Sequence, residues 1–312
     1  MINKIALDTV KTDNKTAFKE LTKNFEDFLI RQKRVSNNTC NSYGRDVDKF
    51  HIYLEDAKMN AFEASSSDVS AFLDSMNKNH KATSTISRTL ASLRCYYRYL
   101  EVTNQIKENP TKSVASYRVE KKEPQILTHE EIQILLDQPK CIGLKGYRDK
   151  AMLELLYAAG MRVSELINLL IEDVDIEAQT VLCRKGIRER IIPVHPSAIK
   201  AVKAYLDKSR PMMVLSENVP FLFVNCNGRK LTRQGFWKII KLYKDMSKID
   251  KDITPHTLRH SFAFHLLEKG IDVKTIQQML GHTDISSTNM YVQLMNKKLN
   301  DLNNKIENEE SE

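Results

Sequence analysis

The sequence predicts a mainly α-helical protein with one small antiparallel sheet, divided into a four-helix N-terminal domain and a mixed α+β second domain. Three observations carry that expectation. The first 116 residues hold four amphipathic stripes and no strand pattern. The second half mixes helix start and stop signals with two short β-rich runs. A charged stretch bracketed by Pro110 and Pro124 lies between them.

Taken in order, Phe18, Leu21, Phe25 and Phe28 form the first stripe, and Tyr43, Val47, Phe50 and Leu54 the second. Val69, Phe72, Leu73 and Met76 follow the polar run Ser65-Ser66-Ser67-Asp68 and make a shorter third. Ile86, Leu90, Leu93, Tyr97 and Leu100 make the fourth. At about 100° per residue, Arg88, Arg94 and Arg98 fall on its flank and back, suited equally to a solvated face or to phosphate contact. About 15 residues precede the first stripe, too few for a further domain. Residues 117–124 read as the interdomain linker, 125–292 as the second domain and 293–312 as a terminal helix.

In the second domain Thr128 and Glu131 are spaced as a capping box opening a helix through Leu136. A longer helix from Asp149 stops at Gly160. Thr180–Cys183 and Arg190–Val194 are strand-like and flank a basic turn containing Arg184, Lys185 and Arg188, a hairpin signal. Thr254-Pro255 caps and starts a helix that ends at Gly270; Asp272 caps the next, which Gly281 closes. Met295, Leu299, Leu302 and Ile306 then recur at helical spacing on a polar tail, a stripe that must bury against its own domain or a neighbouring copy.

Composition narrows the function. Hydrophobic residues are 41% and charged residues 28%, a globular balance, and no apolar run is long enough to span a bilayer. The start of the chain has no secretory pattern, so a cytoplasmic location is expected. Five scattered cysteines argue against a disulfide framework or a zinc site, and half-buried or buried thiols are expected. Net charge is +8. Residues 1–123 and 124–292 each carry a net +5, and the tail carries −2. A polyanion touching both domains fits that distribution, with nucleic acid the first candidate.

The residues able to carry chemistry are few. His256, Arg259 and His260 share a helix face. Leu280-Gly281-His282 puts an imidazole at a helix end, and Tyr291 stands nine residues later. Upstream, Gly160-Met161-Arg162-Val163-Ser164-Glu165-Leu166 places Arg162 after a helix break with Glu165 close enough to orient it. Each alone has a bland explanation as a polar patch, a core tyrosine or a surface ion pair.

In this order and spacing the set resembles the tyrosine recombinase (phage integrase) family, and within it the Xer-type recombinases. The segments from Val35 to Leu54 and from Thr85 to Pro110 are similar to that family's N-terminal core-binding, SAM-like domain, so the resemblance runs from about residue 16 to 300. It implies that Tyr291 attacks a DNA phosphodiester to give a 3′-phosphotyrosyl link and a free 5′-hydroxyl. Arg162 and Arg259 would grip the non-bridging oxygens, His256 would accept the proton and His282 would be a third phosphate contact. Lys185 would be the general acid, although the family has glycine before that lysine and this chain has Arg184, so Arg184 and Arg188 stay in contention. Glu165 and His260 would be supporting groups. One phosphoester is exchanged for another, so neither ATP nor a metal is expected, and no cofactor. The implied partners are duplex DNA carrying a specific site, a homo- or hetero-tetramer of recombinases and a DNA translocase. Resolution of chromosome dimers is the expected role, with integration or excision of a mobile element as the alternative. A DNA-relaxing topoisomerase and a non-catalytic DNA-binding protein fit less well, the first because of the apolar tail, the second because every reactive group is present.

Overall fold

The computed structural model describes residues 2–33, 35–118, 123–185, 188–214, 219–282, 284 and 286–309; the side chains of 2–15, 185, 188, 286, 302 and 305–309 lie outside that description. The chain divides into two compact units, 1–122 and 123–312.

Unit 1 contains α1 (Ile2–Arg31), α2 (Asn37–Asp56), α3 (Ser66–Lys78) and α4 (Thr83–Val102). Ser36 caps α2, and Ser65 with Asp68 forms a reciprocal capping box on α3. The four stripes meet in one core of Phe25, Leu29, Val47, Phe50, Leu54, Leu73, Leu90 and Leu93. The first helix begins at Ile2, well before the first stripe, because nothing in the polar opening residues breaks it.

Unit 2 opens with α5 (His129–Leu136), on the predicted Thr128–Glu131 capping box. The helix expected from Asp149 is α6 (Leu144–Ala159), which starts five residues earlier behind Gly143. After α7 (Val163–Leu166) and a 3₁₀ turn come β1 (Val174–Asp175), β2 (Thr180–Lys185) and β3 (Arg188–Pro193), an antiparallel sheet in the order β1-β2-β3. Cys183 lies opposite Arg190 and Val181 opposite Ile192. The turn residues between β2 and β3 lie outside the described residues.

Four helices that the sequence signals did not single out follow or precede these: α7 itself, then α8 (Pro196–Lys208), α9 (Arg210–Met213) and α10 (Arg233–Ser247). Of the last three, α11 (Pro255–Glu268) starts on the predicted cap Thr254, α12 (Val273–Leu280) runs from the predicted cap Asp272 to the predicted stop Gly281, and α13 (Ser286–Glu309) carries the terminal stripe. Phe262, Ala263, Ile276, Leu280 and Tyr291 pack α11, α12 and α13 together. Among the five thiols, Cys40 and Cys183 are buried and Cys95 half-buried, but Cys141 and Cys226 are exposed, contrary to expectation, because both sit in turns. No helix among the described residues is long and apolar enough to cross a membrane.

Candidate active site

α6 ends at Gly160 with φ +54°, a left-handed backbone glycine adopts without strain. A Cβ there would lie 2.2 Å from the Phe262 ring, so α6 and α11 cross at a point only glycine permits. The crossing brings Arg259 of α11 under the end of α6. Arg259 is 4% exposed. Its Nη1 donates to the Gly160 carbonyl and its Nη2 to the Leu280 carbonyl, both at 2.6 Å.

Arg162 reaches the same end of α12, donating at 3.4 Å to the carbonyls of Leu280 and Gly281, and at 3.2 Å to Glu165 Oε1. Carbonyls at a helix C-terminus have no intrahelical partner and carry partial negative charge. The ends of α6 and α12 therefore hold two guanidiniums side by side. Each guanidinium has five N–H donors, so donors remain for an anion.

The open side of this pair is a cleft of about 160 Å³, lined by Met161, Arg162, Val163, Ser164, Arg233, Trp237, Pro255, His256 and Arg259. Arg233 and Pro255 are the first residues of α10 and α11, so two helix N-termini face it as well. Guanidiniums and helix N-termini together make an anion site, and the planar fork of arginine suits a phosphate.

Three imidazoles lie within electrostatic reach of the arginines, and of these His256 lines the cleft. Burial, and after it the charges of Arg259, Arg162 and Arg233, holds His256 below its ordinary value. Burial and the neighbouring His256 and Arg259 bring His260 down to about 4. Burial, with Arg259 and Arg162 next, brings His282 to about 4 as well, and its Nδ1 shares a 3.0 Å hydrogen bond with Thr288 Oγ1. All three are neutral at pH 7.

Tyr291, on the first turns of α13, is 1% exposed. Its hydroxyl is hydrogen-bonded to His260 Nδ1 at 2.8 Å. Burial pushes the phenol up to about 12, against the opposing charge of Arg259. The expected proton acceptor, His256, is not the imidazole in contact with Tyr291. The two residues are on α11 one turn apart, with ring centroids 6.4 Å from each other, and the phenol lies against the inner ring.

Arg162, Glu165, His256, Arg259, His260, His282 and Tyr291 are thus gathered in unit 2. Glu165 has a second partner that sequence reasoning missed: Arg190 of β3 donates to both its oxygens, at 3.0 and 2.9 Å. Burial alone would raise the Glu165 carboxyl, but Arg190 and Arg162 outweigh it and hold it below the usual value. The sequence carries no signal for this, since Ile191 and Ile192 are alike apolar; only the structure, with Ile192 buried and Ile191 69% exposed, puts Arg190 on the inner face. Arg233 and Trp237 were missed too; the spacing of four and the chain's one tryptophan were the clues.

The Lys185 and Arg188 side chains lie outside the described residues. Arg184 is committed elsewhere, to Asp173 at 2.7 Å and Glu172 at 3.1 Å. In unit 1, Arg88 pairs with the buried Asp46 at 3.1 Å, and Arg94 donates to the Val114 carbonyl and Ser116 Oγ, pinning the segment after α4. Arg98 is exposed and lines a groove with Lys33, Arg94 and Lys112.

Comparison with known proteins bears on this geometry. Residues 125–298 match the phage integrase family, and residues 22–104 match the phage integrase N-terminal SAM-like domain. Tyrosine recombinase XerD of Halalkalibacterium halodurans is 40% identical over 285 residues, 89% of this chain and 95% of that protein. Tyrosine recombinase XerD of Staphylococcus epidermidis is 38% identical over 274 residues, 87% and 93%. Among solved structures, the XerH site-specific recombinase bound to palindromic difH substrate, a post-cleavage complex, aligns with a TM-score of 0.73 at 22% identity, over 90% of this chain and 83% of that one.

Proposed function

This chain belongs to the phage integrase family, and we propose from that premise that it is a Xer-like recombinase that resolves chromosome dimers, with Tyr291 as its nucleophile. The single observation that carries the reading is the placement of a tyrosine hydroxyl against α11, one residue along that helix from a guanidinium that faces an anion-sized cleft. Family membership makes it a tyrosine recombinase, an enzyme that breaks and rejoins DNA strands.

The chemistry follows from the resident groups. A scissile phosphodiester enters the cleft with its non-bridging oxygens on Arg162 and Arg259, and His282 is the third contact. Tyr291 Oη forms a bond to phosphorus as the bond from phosphorus to O5′ breaks, leaving a 3′-phosphotyrosyl ester and a 5′-hydroxyl. With a pKa of about 12 the phenol is ionised in about one part in 10⁵ at neutral pH, so its proton must be taken as it attacks. The lowered pKa of His256 keeps that ring in the accepting form, and His260 holds the hydroxyl until then. Lys185 gives the proton to O5′. The reverse reaction with a 5′-hydroxyl from a second duplex seals the exchanged strand. The bond energy is conserved, which is why no cofactor enters the scheme.

Positive charge on both units fits contact with a duplex, with the exposed Arg98 as the α4 arginine we assign to it. The tail bears on assembly. Lys298 pairs with Glu268 at 2.6 Å and Lys297 with Glu123 at 2.9 Å, so α13 is tied to its own unit to that point. Beyond it Leu299 is exposed, while Leu302 and Ile306 lie outside the described side chains. We assign that distal stripe to a neighbouring protomer of a DNA-bound tetramer, with a translocase acting on the assembly.

The test uses a nicked suicide duplex bearing the inverted repeat that the chain selects from a randomised duplex pool. Wild type is expected to form a covalent protein–DNA adduct, and Tyr291→Phe to bind the duplex but form none. An adduct in the variant moves the nucleophile elsewhere.

A further inference from the structure

We propose that Arg190 is a positioning residue for strand cleavage, setting how much of Arg162 is offered to the phosphate; the inference rests on the recombinase reading above. Arg190 does not line the cleft. It touches three residues beside the two gripping arginines. Its Nη1 and Nη2 form a fork on both oxygens of Glu165, its Nε donates to the Met279 carbonyl at 2.7 Å, and its guanidinium lies flat against Gly281, where a Cβ would sit 3.0 Å from Nη1.

Consider Glu165 without that fork. Its carboxylate is 6% exposed and must be paired. Arg162, three residues away, is the other cation in reach and already touches Oε1 at 3.2 Å; its backbone N–H donates to Oε2 at 2.7 Å. Released from Arg190, the carboxylate would draw Arg162 into a two-bond pair and turn its donors away from the cleft. Arg190 takes both oxygens first and leaves the Arg162 side chain with a single 3.2 Å contact to the carboxylate beside its two 3.4 Å contacts to the Leu280 and Gly281 carbonyls, so the Arg162 guanidinium stays at the cleft wall with donors to spare.

The same side chain steadies the last turn of α12. Leu280 and Gly281 supply the carbonyls that hold Arg259 and Arg162, and His282 follows them directly. By bonding to Met279 and covering Gly281, Arg190 fixes that turn relative to Glu165. A lysine has the charge but not the planar fork, so it cannot engage both oxygens and Met279 together.

Two measurements on the full-length chain test this. A crystal structure of Arg190→Lys without DNA is expected to show Arg162 rotated onto both oxygens of Glu165. An unmoved Arg162 overturns the proposal whatever the protein's function. Adduct formation is then timed in a single turnover at saturating protein on the selected nicked duplex. Arg190→Lys is expected to bind within about threefold of wild type and to cleave about 10–100-fold more slowly, by analogy with the groups that orient metal ligands. Adding Glu165→Gln to Arg190→Ala removes the pull on Arg162 and is expected to recover part of the rate. Full-speed cleavage by Arg190→Lys, or a double variant no faster than Arg190→Ala, overturns the proposal. Failure of wild type itself to form an adduct instead refutes the recombinase reading.

Discussion

Each unit buries a tyrosine on a histidine, and the two pairs do different things. In unit 1, His51 Nε2 and Tyr96 Oη are 2.9 Å apart; Thr22 meets the other ring nitrogen, and Phe18 stacks on the imidazole. In unit 2, His260 and Tyr291 are 2.8 Å apart. Burial brings both imidazoles to about 4. The phenols diverge. Burial, with Tyr97 and Tyr99 adding to it, drives Tyr96 far above the range in which a phenol reacts, whereas Arg259 opposes burial at Tyr291. The same hydrogen bond thus sits in two electrostatic settings: at Tyr96 nothing offsets burial, and at Tyr291 a cation offsets part of it, the feature on which the proposed nucleophile role draws.

The largest expected effect breaks the comparison on the unit 2 side. Arg259→Lys keeps a positive charge but cannot reach the Gly160 and Leu280 carbonyls and the cleft at once. Loss of one fixed donor to a developing phosphorane charge costs about 10²–10³ in rate. We expect single-turnover adduct formation to fall by that factor with duplex binding weakened far less. A loss of only a few-fold would put the work of activation on His260 instead.

Much of this is legible in the sequence. Thr128, Thr254, Asp272, Gly160 and Gly281 mark helix ends through local hydrogen bonding, which short-range sequence encodes, and the helices start and stop there. Arg162, His256, Arg259, His282 and Tyr291 were singled out because their order along the chain is itself a pattern. What sequence withheld is long-range. The pairing of Tyr291 with His260 rather than His256 depends on how α13 packs on α11. The Arg190 fork depends on sheet register. Arg88 and Arg94, read from one helix as candidates for phosphate, have partners on α2 and in the following segment that no single-helix projection reveals.

A smaller effect sharpens the comparison through pH. His51 in unit 1 and His260, His265 and His282 in unit 2 all lie near 4 when folded, against about 6.5 when unfolded. Between those values the unfolded chain binds more protons, so stability rises with pH and falls on acidification through that window. Unit 2 carries three of the four and also the one tryptophan, Trp237, so fluorescence reports on it selectively. The Trp237 melting midpoint is expected to drop by several degrees from pH 7 to pH 5. A level midpoint means that the buried imidazoles titrate as free ones do.

The smallest effect belongs to the unit 1 pair. Tyr96→Phe keeps the ring, and with it the edge contact to Phe25, and removes only the oxygen that meets His51 Nε2. The ring nitrogen is left buried, with Thr22 at 3.3 Å as the imidazole's other contact. Stranding one buried polar atom costs about 1–3 kcal/mol. The urea midpoint should shift down by the corresponding amount at unchanged slope, because no additional surface is exposed. Adduct formation per folded molecule should stay within about twofold of wild type. If Tyr96→Phe slowed cleavage while Arg259→Lys did not, the cation would lose its part in the argument, and reactivity would have to arise from burial alone.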